Sequence, residues 1–220
     1  MRPHGRLSAL QEQILDALFP GTTGFVLTGG AALAGFYLKH RETKDLDLFT
    51  VDRDAFHVVV SSLPALASQH GLSVSIQLEA PAFHRALMGR YDDGVVVDLV
   101  LDLSPQLGEA PVLIDGIPLD PLQQIFVNKI TTLVGRQEER DVVDLLHLER
   151  QGLRVEDHLE HARAKDGGCT PATLAWLLDP WADQLPDESM FAGQVPGGEL
   201  KDYMRALAVR MRRVAFPSTS

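Results

Sequence analysis

Apolar residues recur at helical spacing from Leu7 to Leu18, and Pro20-Gly21 closes that run as a helix stop. Phe25-Val26-Leu27 then reads as a short buried strand running into Gly29-Gly30, followed by a helix over Ala31 to His40 and a strand over Asp45 to Thr50. Asp52 and Asp54 stand ahead of a helical stretch, Ala55 to His70, where they suit capping and the positive end of the helix dipole. Ser73 to Leu78 alternates as a strand does, and Phe83 to Arg90 gives another. Asp92-Asp93-Gly94 is a hairpin turn leading into Val95 to Leu101, the most β-branched strand of the chain. Val112 to Ile117, broken by Asp115-Gly116, supplies a last strand or a small hairpin.

After Pro118 the period changes from two to about 3.6. Pro121 to Val134 and Glu138 to Gln151 are helical, with Gly135 and Gly152 as C-terminal stops. Val155 to Ala164, Thr170 to Leu178 and Glu199 to Val214 continue the series, Thr170 acting as cap and Pro171 as first helical residue. The stretch from Asp179 to Gly198 is rich in Pro, Gly and Asp and reads as loop. The order predicts an α+β protein: a mixed half over residues 1–119 and an all-helical half over residues 120–220.

Composition changes this picture little, since 45% hydrophobic and 23% charged residues are ordinary globular values. Charge excludes more. A formal net charge of −10 disfavours broad, non-specific coating of nucleic acid, which needs a positive field. The basic tail from Lys201 to Arg213 shows no single stripe and reads as a solvated helix. One cysteine, Cys169, rules out an internal disulfide. The opening MRPHGRLSALQEQ lacks the apolar core of a secretory signal, and Val26 to Leu38 is too short to span a bilayer. A soluble, cytoplasmic protein with no membrane partner is expected.

The candidate chemistry lies in GGAALAGFYLKHRETKDLDLF, Gly29 to Phe49. Residues two apart in a strand share a face, so Asp45 and Asp47 project side by side while Leu46 and Leu48 turn into packing. Two carboxylates that close need a counter-charge, and a divalent cation such as Mg²⁺ supplies one through oxygen ligands and substrate phosphates. Asp98, embedded in the apolar run Val95 to Leu101, is the candidate third ligand for a second ion; Asp102 shares its face but lies beyond the run. Gly29 and Gly30, between a strand and a helix start, leave backbone amides open to a triphosphate. Asp52-Arg53-Asp54, Gly167-Gly168 and Gly197-Gly198 repeat parts of this pattern without its order. The eight histidines form no metal set, and Cys169 lacks a neighbouring histidine that would make it a nucleophile.

The segment from Gly29 to Thr50 resembles the first motif of the polymerase-β-like nucleotidyltransferases, and more closely that of the AbiEii/AbiGii abortive-infection toxins. Asn128-Lys129, Gly135-Arg136 and Glu139 through Leu145 resemble the second signature of those toxins, a helical lysine followed by Arg-Asp-x-x-Asp-Leu. The resemblance covers roughly Gly24 to Leu148. It implies a small mixed, palm-like nucleotidyltransferase sheet flanked by helices, then a helical domain. The activity implied is transfer of NMP from an NTP to an RNA acceptor, which for some members is the 3′ end of tRNA, or to a protein. An antitoxin is implied as partner, and two Mg²⁺ ions with NTP bound. By position, Asp45, Asp47 and Asp98 hold the metals, and Asp98 also takes the acceptor's proton. Gly29, Gly30, Lys129 and Arg140 contact the nucleotide, with Asp141 beside them. Two other readings stay open: a non-catalytic nucleotide- or partner-binding module, suggested by Ala31 where a hydroxyl residue is common, and a kinase-like γ-phosphoryl transferase. The bland readings are a strand-end acid pair, a plain Gly-Gly turn, and surface ion pairs around Arg136, Glu138 and Arg140.

Overall fold

The computed structural model describes residues 6–20, 24–90 and 93–217, and the chain divides into two compact units. Unit 1 comprises Met1–Leu103 with Glu109–Pro121, and unit 2 comprises Ser104–Gly108 with Leu122–Ser220.

Unit 1 is built on a seven-stranded mixed sheet. Its strands are β1 (Val26–Thr28), β2 (Asp45–Thr50), β3 (Ser73–Ala80), β4 (Phe83–Arg90), β5 (Asp93–Leu101), β6 (Val112–Ile114) and β7 (Ile117–Leu119), in the order β3-β4-β5-β2-β1-β7-β6. The β2–β5 and β1–β7 pairs are parallel and the others antiparallel. One face is sealed by Leu46, Leu48, Ala86, Met88, Val97 and Leu99, all 0% exposed. Two helices, α1 (Ala9–Leu18) and α3 (Arg53–Gln69), pack over that face. Burying each such leucine contributes about 1.5–3 kcal/mol, so this side fixes the register of the whole sheet. A capping box between Ser8 and Gln11 starts α1. At the start of α3 the Asp52 carboxylate accepts from the amides of Asp54 and Ala55, so this acid-x-acid triplet is a cap.

One local feature of unit 1 departs from the pattern of the sequence, and another resolves an alternative that the sequence left open. The helix after β1 begins at Gly29, two residues earlier than expected, and is short: α2 (Gly29–Ala32) passes into a π-turn over Leu33–Tyr37. The amides of both Leu38 and Lys39 bond to the Leu33 carbonyl, and Lys39 leaves the turn at φ 53. The segment Val112 to Ile117 resolves as a tight hairpin, with Asp115 and Gly116 both at positive φ as a primed turn requires. Of the expected turn before β5, Asp92 lies outside the described residues.

Unit 2 holds helices α4 (Leu122–Gly135), α5 (Glu139–Arg150), α6 (Val155–Lys165), α7 (Pro171–Gln184) and α8 (Gly197–Ala215), with a two-stranded hairpin of β8 (Met190–Phe191) and β9 (Val195–Pro196). Helix α7 runs six residues past Leu178, into the stretch expected as loop. Pro180, inside this helix, lacks the amide that would bond the Trp176 carbonyl, yet the helix continues past it to Gln184. Thr170 caps this helix through the Thr173 amide, with Pro171 at its first position. Among the described residues, no helix is long and apolar enough to cross a membrane.

Candidate active site

Strand register assembles the site. In β2 exposure alternates residue by residue, so Asp45, Asp47 and Phe49 share the face opposite the sealed one. Asp47 stands directly across from Asp98 on β5 and from Thr28 on β1. Asp98 in turn faces Arg85 on β4. At the other end, Leu27 pairs with Leu119, which brings Asp120 beside Thr28. The result is one transverse row, Arg85–Asp98–Asp47–Thr28–Asp120, with neighbouring strands about 4.8 Å apart.

Four members of the row are held in two pairs, Arg85 with Asp98 and Thr28 with Asp120. Arg85 donates from Nε and Nη2 to the two Asp98 oxygens at 2.7 Å each, a bidentate pair. Its guanidinium also lies 5.5 Å from the Phe83 ring centroid. Hydrogen bonding to Asp98 raises the Arg85 pKa; burial opposes this, and the charges of Asp98, Asp47 and Asp45 add to it. The field of all three carboxylates therefore converges on this one cation. The Thr28 hydroxyl donates to Asp120 Oδ2 at 2.7 Å, and the Tyr37 hydroxyl donates to the Asp120 carbonyl at 2.9 Å. Burial, then the Asp120 charge, pushes the Tyr37 phenol up to about 12. Asp45 accepts from the Thr43 hydroxyl at 2.9 Å.

The glycine elbow meets this row at Asp47. Gly29 has φ +61, a conformation that side chains rarely adopt, and a Cβ there would lie 2.3 Å from Asp47 Oδ2. A Cβ at Gly30 would lie 2.7 Å from Arg41 Nη2, the buried guanidinium that closes the elbow from behind. Gly29, Gly30, Asp45, Asp47 and Asp98 are thus brought together within unit 1.

Lys129, Arg140 and Asp141 belong to unit 2. Lys129 Nζ lies 2.5 Å from Asp141 Oδ1 and 2.7 Å from Asp144 Oδ2, both carboxylates being fully buried. Arg136 donates to Asp141 from Nε at 2.8 Å. Burial would raise the Asp141 pKa, but Lys129 and Arg136 together hold it below the ordinary carboxylate value. Arg140 pairs with Glu138. Cys169 is 0% exposed, and burial with the nearby Asp166 charge pushes its thiol up to about 12, the opposite of an activated nucleophile.

Arg85, Thr28 and Asp120 are the three members of the row that the sequence did not single out. Signals exist for two of them: Arg85 sits between Phe83 and Leu87 on one strand face, and Asp120 directly follows an apolar strand, as an acid does at the mouth of a sheet. Among the described residues, no three Asp, Glu, His or Cys side chains are arranged to hold a metal ion as they stand. The donor chemistry nevertheless fits Mg²⁺, because Asp45 and Asp47 are half-exposed oxygen donors on one face and this ion binds through one or two carboxylates plus phosphates.

Solved structures share this architecture. JHP933 from Helicobacter pylori has a TM-score of 0.60 at 17% identity, with 94% of each chain covered. A putative nucleotidyltransferase from H. pylori gives 0.57 at 17% identity, with 92% of each chain covered. MenT4, a nucleotidyltransferase toxin from Mycobacterium tuberculosis, gives 0.54 at 13% identity over 91% of this chain and 81% of that one. Likeness at such identities speaks for the fold, which is that of the nucleotidyltransferases. The chain itself belongs to the AbiEii nucleotidyl transferase toxin family of type IV toxin–antitoxin systems, whose model matches residues 13–209. It is accordingly a nucleotidyltransferase. Among curated proteins, none matches this sequence.

Proposed function

We propose that this enzyme transfers NMP from an NTP to a hydroxyl of an RNA acceptor, such as a tRNA. The acceptor oxygen forms a bond to the α-phosphorus, the bond from that phosphorus to the β-phosphate bridging oxygen breaks, and pyrophosphate leaves. The acceptor's proton passes to Asp98. The reading rests on one observation: Asp47 faces Asp98 across paired strands while the Gly29 backbone lies against the Asp47 carboxylate. Triphosphate held at the elbow would lie beside the acid row.

Asp45 and Asp47 are assigned to Mg²⁺, with Asp98 as the third ligand and two ions expected once NTP is bound. The ions would neutralise charge on the triphosphate and the leaving group. The chain's own part is to orient the reactants. Gly29 and Gly30 lack the Cβ atoms that would strike Asp47 and Arg41, which lets the elbow sit close against the acid row, and the sealed sheet face behind Leu46 and Leu48 keeps Asp45 and Asp47 from turning away. Lys129, Arg140 and Asp141 are assigned to the nucleotide by the family pattern; the geometry of Lys129 and Asp141 also supports an ion cluster joining α4 to α5, while Arg140 pairs with Glu138. Membership of a toxin–antitoxin family supports an antitoxin as partner. An NTP substrate supports a cytoplasmic setting.

Incubation with total RNA and each α-labelled NTP in turn tests the reading. Label should enter RNA and pyrophosphate should be released, and Asp47→Ala should abolish both while retaining the native circular dichroism spectrum. Label in protein alone would move the acceptor. Nucleotide binding without any product would favour the non-catalytic module.

A further inference from the structure

The acid row already contains a cation. Asp98, 7% exposed, spends both carboxylate oxygens on Arg85, and a carboxylate gripped on both oxygens by a guanidinium offers a metal little. Arg85 itself is differently placed: its side chain is 44% exposed, against 10% for that of Asp98. One partner of the pair can therefore swing into solvent, and the other cannot.

The geometry points to Arg85 as a latch on the third carboxylate: it grips both oxygens of Asp98 and must release them before Asp98 can serve as a metal ligand. This inference rests on the assignment of metals to Asp45, Asp47 and Asp98. Arg85 is thus a positioning residue that acts through Asp98. The latch sets a threshold. Metal that binds Asp45 and Asp47 recruits Asp98 only by competing with a charge-assisted bidentate pair, so the complete site forms cooperatively with ligand. Released from Asp98, the half-exposed guanidinium has donors available for phosphate oxygens on the same face.

Mn²⁺ binding to the full chain without nucleotide, followed by the electron paramagnetic resonance of free Mn²⁺, reads the latch independently of activity. Arg85→Gln should bind Mn²⁺ on the order of tenfold tighter than wild type, at the lower end for a bidentate pair because Arg85 is partly solvent-screened. Arg85→Lys, which keeps the charge but loses the fork, should fall between the two. Adding Asp98→Asn to Arg85→Gln should remove the gain. Unchanged or weaker binding by a natively folded Arg85→Gln protein would overturn the latch, provided wild type binds Mn²⁺ in an Asp47-dependent way. If Arg85→Gln does not fold, Arg85→Lys decides by the same criterion. No Mn²⁺ binding by wild type or any variant would sink the metal assignment and the latch with it.

Discussion

Gly29→Ala is the substitution that most sharply separates a working site from a plain turn. Two costs arise at different levels. The backbone at φ +61 penalises any β-carbon by about 1–2 kcal/mol, a stability effect confined to the folded state. The added Cβ would also lie 2.3 Å from Asp47 Oδ2, well inside any real contact, so the carboxylate must rotate or the elbow must shift by close to an ångström. Displacement on that scale costs on the order of 100-fold in a positioned reaction. The expected result is a fall in Tm of about 3–10 °C together with a loss of label transfer of at least ~100-fold, measured well below the lowered Tm. Gly29→Asn isolates the second effect, because Asn adopts positive φ more readily yet still carries a Cβ. It should recover much of the stability and little of the activity. If activity instead follows stability, with both variants fully active once folded, the position of the Asp47 carboxylate does not matter and the site is wrongly built.

Other substitutions test the framework around the row. Lys129→Met leaves Asp141 and Asp144 buried, and with Arg136 still on Asp141 it should cost ~3 kcal/mol in urea unfolding; a loss under ~1 kcal/mol would contradict the ion cluster. Because the Asp141 pKa lies below its ordinary value of ~3.9, its contribution is fully present above ~pH 5 and is lost as pH falls through the depressed value. Asp141→Asn should therefore flatten the acid limb of stability against pH. Thr28→Val and Asp120→Ala should couple by ~1–2 kcal/mol in a double-mutant cycle; additivity within ~0.3 kcal/mol would refute the buried hydrogen bond between them. Cys169 should be silent to a thiol reagent in the native protein and react fully in guanidinium, whereas ready native labelling would contradict its burial.

Much of unit 1 was legible because period-two alternation exposes the faces of strands. Asp45 and Asp47 could be placed on one face, opposite Leu46 and Leu48, without any partner strand. The pairing of Asp47 with Asp98 required long-range register, which the apolar run around Asp98 hinted at but could not fix. Arg85 was illegible for that reason: an arginine in a strand is ordinary until the strand beside it sets an aspartate opposite. Asp120 is 92 residues from the hydroxyl it accepts from, beyond the reach of any local pattern. In unit 2, the Pro, Gly and Asp content from Asp179 onward read as loop, yet helix α7 continues to Gln184 with Pro180 inside it and Trp181 and Ala182 buried. Asp141 and Asp144 were visible as a spacing of acids, but neither their complete burial nor their pairing with Lys129 was.

Whether the acid row beside the glycine elbow directs attack at the α-phosphorus is read by transfer of label from α-labelled and from γ-labelled NTP, side by side, by wild type and Asp47→Ala. Wild type should place α-label in the acceptor and γ-label only in released pyrophosphate, and Asp47→Ala should give neither product. Label from the γ position in the acceptor, or undiminished transfer by Asp47→Ala, would contradict attack directed by that row.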